Sequence, residues 1–127
     1  MNPLRDAAEQ ARHRAYAPYS GFRVGAALET AEGTIVTGCN VENASYGDTI
    51  CAERGAVVAA VAAGHTSFRR LVLVSDSPEP ISPCGSCRQV LHEFSRDLEI
   101  ESWAGTVVRR WNIAELLPAG FGRESLS

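Results

Sequence analysis

The sequence predicts an α/β fold built on a mixed sheet of about five strands with helices on its faces. Three observations carry that expectation. Apolar positions switch between helical spacing and short strand-like runs in the order α-β-β-α-β-α-β-β-α. Leu71-Val72-Leu73-Val74 is an uninterrupted apolar run, the pattern of a central strand covered on both sides. Residues 52–63 are dense in Ala and Val, which suits a helix packed closely on a sheet rather than one facing solvent.

The first helix opens at Asn2-Pro3, an N-cap followed by a first-turn proline. Leu4, Ala7, Ala8, Ala11 and Ala15 recur at helical spacing until Pro18 stops it. Residues 23–30 and 34–39 flank Ala31-Glu32-Gly33 and read as a hairpin. The Ala-rich helix follows and ends at Gly64. Residues 70–75 form the central strand, and the Pro-rich segment 77–83 leads into a helix over about 84–95. Residues 98–103 and 106–111 are two further strands around Ala104-Gly105. Asn112 and Glu115 have the spacing of a capping box, so a short terminal helix begins there.

At 127 residues the chain is long enough for one buried core and too short for two, so a single domain spanning 1–127 is expected. The formal net charge is −3, there is no block of Lys or Arg, and Arg109-Arg110 is no more than a local basic pair. Nucleic-acid binders usually show a basic stripe, so no nucleic acid is expected as partner and a small molecule is favoured as substrate. No apolar run reaches the ~18 residues a membrane helix needs, and residues 1–15 are charged and Ala-rich, without a signal peptide's apolar centre. A soluble cytoplasmic protein with no membrane partner is the expectation.

The chemistry lies in the cysteines. Four are present, Cys39, Cys51, Cys84 and Cys87. Two disulfides would suit a small secreted chain, whereas a chain read as cytoplasmic and long enough for its own core is expected to need none. Cys39 stands between Gly38 and Asn40 at the end of an apolar stretch and reads as a buried inert thiol. Cys84 and Cys87 are three apart at a helix start, so both sulfurs project from one face and can bind one metal. Alone, that C-x-x-C is equally a redox pair or half of a structural zinc site. Cys51 offers a third thiolate, and none of His13, His65 or His92 lies in a motif that would supply a fourth ligand. Structural zinc is normally closed by four protein ligands, whereas catalytic zinc keeps one position open. Glu53 follows Cys51 by two residues, and the pair can serve one metal only if the ion sits off the helix's N-terminal end. There the helix dipole also favours thiolates.

Blocks along most of the chain carry a family resemblance. Tyr16-Ala17-Pro18-Tyr19-Ser20-Gly21-Phe22-Arg23-Val24-Gly25-Ala26-Ala27, Gly38-Cys39-Asn40-Val41-Glu42-Asn43-Ala44, Cys51-Ala52-Glu53-Arg54, Pro83-Cys84-Gly85-Ser86-Cys87-Arg88-Gln89 and Glu115-Leu116-Leu117-Pro118 together resemble the small, tetrameric cytidine deaminases. The resemblance implies a three-layer α/β/α fold and one Zn²⁺ per chain on Cys51, Cys84 and Cys87. It implies hydrolytic deamination of cytidine and 2′-deoxycytidine in pyrimidine salvage, with Glu53 carrying protons to N3 and to the exocyclic amine. Asn40 and Glu42 match the pair that holds the ribose hydroxyls, and Phe22 the aromatic beside the base. Tyr19, Tyr46 and Phe121 match aromatics that line or complete the pocket, with Phe121 coming from a neighbouring subunit of a homotetramer. The N–H of Ala52 and the carbonyl of Ser82 are the implied main-chain contacts to the base. Three thiolates on Zn²⁺ leave a core of −1, and Arg54, three residues after Cys51, is placed to offset it by hydrogen bonding the sulfurs.

Each residue also has an ordinary structural reading: Arg54 as a surface ion-pair residue, Glu53 and Glu42 as solvated side chains, Asn40 as a turn stabiliser, Phe22 as core. For the whole chain the rivals are a deaminase of another cytosine nucleoside, such as a nucleoside antibiotic, a deaminase acting on nucleic acid, and a non-catalytic zinc-stabilised interaction domain. The acidic chain opposes the second of these, and Glu53 beside an open metal position opposes the third. One residue departs from the resembled pattern. Asp48 stands where an apolar residue is usual, and is read either as a cap for the helix starting at Cys51 or as a change to the pocket rim or a subunit contact.

Overall fold

In the computed structural model, which describes residues 2–126, five strands form one sheet: β1 (Val24–Thr30), β2 (Ile35–Cys39), β3 (Phe68–Ser75), β4 (Glu99–Ala104) and β5 (Val107–Asn112). Their order across the sheet is β2-β1-β3-β4-β5. β1 pairs antiparallel with both β2 and β3, and β4 with β5, while β3 and β4 run parallel. A parallel pair needs a crossover, and α3 (Gly85–Phe94) supplies it. The other helices are α1 (Pro3–Arg12), α2 (Ala52–Ala62) and α4 (Ile113–Leu116), with 3₁₀ turns over Tyr46–Asp48 and Arg123–Leu126.

The apolar run of β3 is continuous because alternate residues face two different cores. Leu71 and Leu73 pack with Ala26, Leu28, Ala56, Val57, Ala60 and Leu91 on the side of α2 and α3. Val72 and Val74 pack with Ala27, Leu4 and Ala8 on the side of α1. The result is the expected three-layer arrangement of helix, mixed sheet and helix.

Two glycines let helices lie directly on the sheet backbone. A Cβ on Gly25 would run into the carbonyl of Ala8 and the amide of Arg12 on α1. One on Gly38, on the opposite face, would run into Ala52 O and Ala56 N on α2. The Ala content of α2 serves the same close approach, with Ala52, Ala56 and Ala60 all buried.

The helix starts fall into two kinds. Asn2 caps α1 by accepting from the Arg5 amide at 3.1 Å. Asn112 caps α4 by accepting from Ala114 N at 2.8 Å, while Glu115 reaches back to Asn112 N at 2.9 Å, completing the expected capping box. α2 and α3 have Cys51 and Cys84 at N-cap, neither making a side-chain cap bond.

Most boundaries fall within a residue or two of expectation, with one larger difference. α1 stops at Arg12 and does not run to Ala15, because Tyr16 is drawn into a bridge with Val41. Its amide donates to Asn40 O at 2.9 Å, and its carbonyl accepts from Glu42 N at 2.8 Å.

Candidate metal centre and adjoining pocket

The centre is built where β2 hands over to α2 and where the 77–83 segment meets α3. Val41 and Ile50 exchange both backbone hydrogen bonds at 2.9 Å, which holds the chain extended up to Cys51. Cys51 keeps that extended conformation (φ −72°, ψ 155°), so its side chain leaves from outside the first turn of α2. Cys84 does the same at α3 (φ −65°, ψ 167°), directly after the buried Pro83. Cys87 lies one turn into α3 and is fully buried.

The three sulfurs lie within 4.8 Å of one another, with Cys51 and Cys84 at 3.9 Å. Four tetrahedral Zn–S bonds of about 2.3 Å would set sulfurs roughly 3.8 Å apart, so the donor set and spacing fit a zinc ion. Three protein ligands leave its fourth position open.

Without a cation the sulfurs share their protons unequally. Cys51 is pulled down to about 5 by the hydrogen bond from Cys87, with Arg54 and Cys84 adding to the effect. Cys87 is pushed up, because it donates to the Cys51 thiolate and is buried. Cys51, Cys84 and Cys87 would hold a zinc ion as thiolates.

Glu53 is 5 % exposed, and burial pushes its carboxyl up to about 7, the neighbouring Cys51 thiolate adding in the same direction. Arg54 donates to Thr49 O at 3.1 Å and approaches Cys51 Sγ at 3.9 Å, so it sits against the thiolate rather than in a surface ion pair. Ala52, between these functional neighbours, is 1 % exposed at the start of α2.

Of the remaining predicted residues, Tyr19, Phe22, Asn40, Glu42 and Tyr46 gather on the 19–24 and 40–50 stretches, whereas Ser82 lies before α3 and Phe121 in the C-terminal segment. Asn40 is buried; its Oδ1 accepts from Val24 N at 2.8 Å and its Nδ2 donates to Phe22 O at 2.8 Å. It therefore positions Phe22, and retains one N–H and one lone pair for a ligand. Glu42 accepts from the amides of Tyr19 and Ser20 at 3.0 and 3.1 Å and from the Ser20 hydroxyl. Those bonds, the Ser20 hydroxyl first, hold its carboxyl below the usual range. Tyr19 and Tyr46 meet edge to face at 6.1 Å, and with Ser20, Glu42, Asn43 and Thr49 they line a cleft of about 360 Å³. Ser82 is half-buried, its hydroxyl accepting from Arg88 at 2.9 Å. Phe121 lies in the C-terminal segment, its carbonyl bonded by Gln89 at 2.8 Å and its ring side largely exposed.

Two expectations are corrected. Asp48 does not cap α2: it lies exposed in the 3₁₀ turn, and Cys51 occupies the N-cap. The three residues between them are needed to bring the chain extended into the cluster. Cys39 is half-buried rather than buried, because it ends an edge strand, although it stays free and outside the sulfur cluster. Reasoning from sequence also passed over Ser20, Thr49, Arg88 and Gly38. Only Gly38 left a visible signal, a glycine inside a strand pattern, which marks close backbone approach.

An open three-thiolate cluster beside a buried carboxyl is the arrangement of a metal-dependent hydrolytic enzyme. Comparison with known proteins narrows the class. The family model for the cytidine and deoxycytidylate deaminase zinc-binding region matches residues 3–100, and the chain belongs to that family. The cytidine deaminase of Sporosarcina psychrophila is 47% identical over 122 residues, covering 94% of this chain and 89% of the relative. That of Mycobacterium tuberculosis is 44% identical over 125 residues, covering 98% and 92%. The crystal structure of cytidine deaminase from Burkholderia pseudomallei superposes with a TM-score of 0.91 at 46% identity, covering 95% of this chain and all of that one.

Proposed function

We propose that the protein hydrolyses cytidine and 2′-deoxycytidine to uridine and 2′-deoxyuridine with release of ammonia, as a step of pyrimidine salvage in the cytoplasm. Residues 1–127 act as one catalytic domain in this reading. The observation that carries it is the buried Glu53 carboxyl beside the Cys51, Cys84 and Cys87 sulfurs. Relatives that bear the cytidine deaminase name at 44 and 47% identity support the substrate class.

A zinc ion held by Cys51, Cys84 and Cys87 supplies Lewis-acid activation of water when bound. Glu53 is poised for both directions of proton transfer. Its carboxylate accepts a proton from the water attacking C4, and its acid form protonates N3 and then the departing amine. Arg54 spreads the thiolate charge at Cys51. Asn40 and the ionised Glu42 take the ribose hydroxyls, the Ala52 N–H and Ser82 carbonyl orient the base, and Phe22, Tyr19 and Tyr46 wall the pocket.

Tyr46 is 76 % exposed and Phe121 57 %, which supports a homotetramer in which Phe121 closes a neighbouring subunit's site. A panel of cytidine, 2′-deoxycytidine, cytosine and cytidine monophosphate, followed by ultraviolet absorbance and ammonia release, tests the substrate. Turnover of the two nucleosides is expected, and ammonia released only from another member of the panel overturns the reading. Light scattering at assay concentration tests the assembly, where a fully active monomer would refute the shared site.

A further inference from the structure

We propose that Arg88 is a positioning residue for substrate binding. It fixes the Ser82-Pro83 main chain next to the metal ligands and ties it to the C-terminal segment that carries Phe121. This inference rests on the functional reading above.

Arg88 is rooted in the turn that presents two of the sulfurs. It directly follows Cys87, and its amide donates to Cys84 O at 2.9 Å. Its guanidinium spans three acceptors from two separate segments. Nε donates to Pro83 O at 2.7 Å, Nη2 to Ser82 Oγ at 2.9 Å, and Nη1 to Leu116 O at 3.0 Å. The next side chain on the helix, Gln89, donates to Phe121 O at 2.8 Å. Neighbouring residues of α3 therefore hold the 116–121 segment at both ends, and Arg88 joins it to Ser82.

All three acceptors of Arg88 are neutral, and Arg88 makes no ion pair among the described residues. A half-buried cation held only by neutral groups is not what stability selects, since an apolar side chain of similar length would fill the space without desolvating a charge. The planar fork does something an apolar chain cannot: it sets three groups at fixed angles to one another. The carbonyl of Ser82 faces the base in the proposed function, and Cys84 lies two residues beyond it. Fixing that stretch from inside α3 holds the base acceptor at a set height over the sulfurs. Holding Leu116 from the same guanidinium makes the closing segment move with it.

The test compares Arg88→Met and Arg88→Lys with the zinc-loaded wild-type protein. Loss of charge-assisted hydrogen bonds should raise the cytidine KM about tenfold or more in the Met variant. We expect kcat within about threefold and one zinc per chain retained, since no ligand or proton carrier is touched. The Lys variant, which keeps the charge and loses the fork, should not restore KM. Adding Ser82→Ala should raise KM less in the Arg88→Met background than in wild type, because the two changes break one contact. Hydrogen exchange at amides 116–122 should accelerate in both Arg88 variants. An unchanged KM, a restored KM in the Lys variant, loss of zinc, or unchanged exchange overturns the assignment. If the wild-type protein deaminates no cytosine nucleoside, the proposed function falls, and the exchange result still decides whether Arg88 holds the segment.

Discussion

α1 and α4 begin as stable helices usually do, with an asparagine whose side chain satisfies a free amide; α2 and α3 begin with cysteines that satisfy none. A good N-cap is worth about 1 kcal/mol, so the two helices at the metal centre each forgo stabilisation that the other two keep. Their positive dipole ends converge on the same cluster of sulfurs, where anionic ligands are needed. The glycines repeat the contrast. Gly25 seats α1 and Gly38 seats α2 by the same backbone contact, yet only the second lies beneath residues that do chemistry.

Replacing Cys84 by Asn breaks the contrast most severely. Zinc content should fall from one per chain toward zero and turnover to background, as read by metal analysis and ammonia release. The metal-free variant should nevertheless melt higher than metal-free wild-type protein, by an amount equivalent to about 0.5–2 kcal/mol, because α3 gains a cap. A metal-free variant no more stable than the metal-free parent would mean that the cysteine start sacrifices nothing.

Glu53→Gln leaves helix starts and ligands in place and removes only the proton carrier. A fall in kcat of about 10²–10⁴-fold with zinc retained is expected. Turnover near normal would place the proton elsewhere.

The glycines separate seating from chemistry. Gly38→Ala and Gly25→Ala should each destabilise by about 1–3 kcal/mol through overpacking. Only Gly38→Ala should also weaken zinc retention against a chelator, since it lifts the start of α2 away from the sheet. Equal zinc retention in both would show that the centre does not depend on how α2 is seated.

The smallest effects are expected at the ordinary caps. Asn112→Ala loses the side-chain half of a capping box, keeping the bond from its own amide to Glu115, and should cost about 1 kcal/mol, Asn2→Ala about 0.5 kcal/mol, each with zinc content unchanged, measured by denaturant unfolding and metal analysis.

What was legible in the sequence was what local spacing controls. Cys84 and Cys87 lie one helical turn apart, Asn112 and Glu115 form a capping box, and the run 71–74 announces a strand covered twice, all within a few residues of chain. What depended on partners far along the chain was harder to see. Ala15 continues the helical pattern of α1, but the pairing of Tyr16 with Val41 ends the helix first. Asp48 has the right chemistry for a cap, but the Val41–Ile50 bridge carries the chain past it in extended form. Arg88 gave no local signal, because its role rests on Leu116, which is 28 positions away.

β5 closes one side of the sheet, and its outer row of backbone groups is the kind of edge on which another copy can add a strand. Arg109 and Arg110 lie there on opposite faces, one over Trp111 at 5.0 Å and the other bonded to Glu101 at 3.2 Å. A second chain laid antiparallel along that edge would set like charges against each other above and below the sheet. The Arg109-Arg110 pair therefore opposes strand-to-strand addition of a second copy at an edge that the fold leaves unpaired.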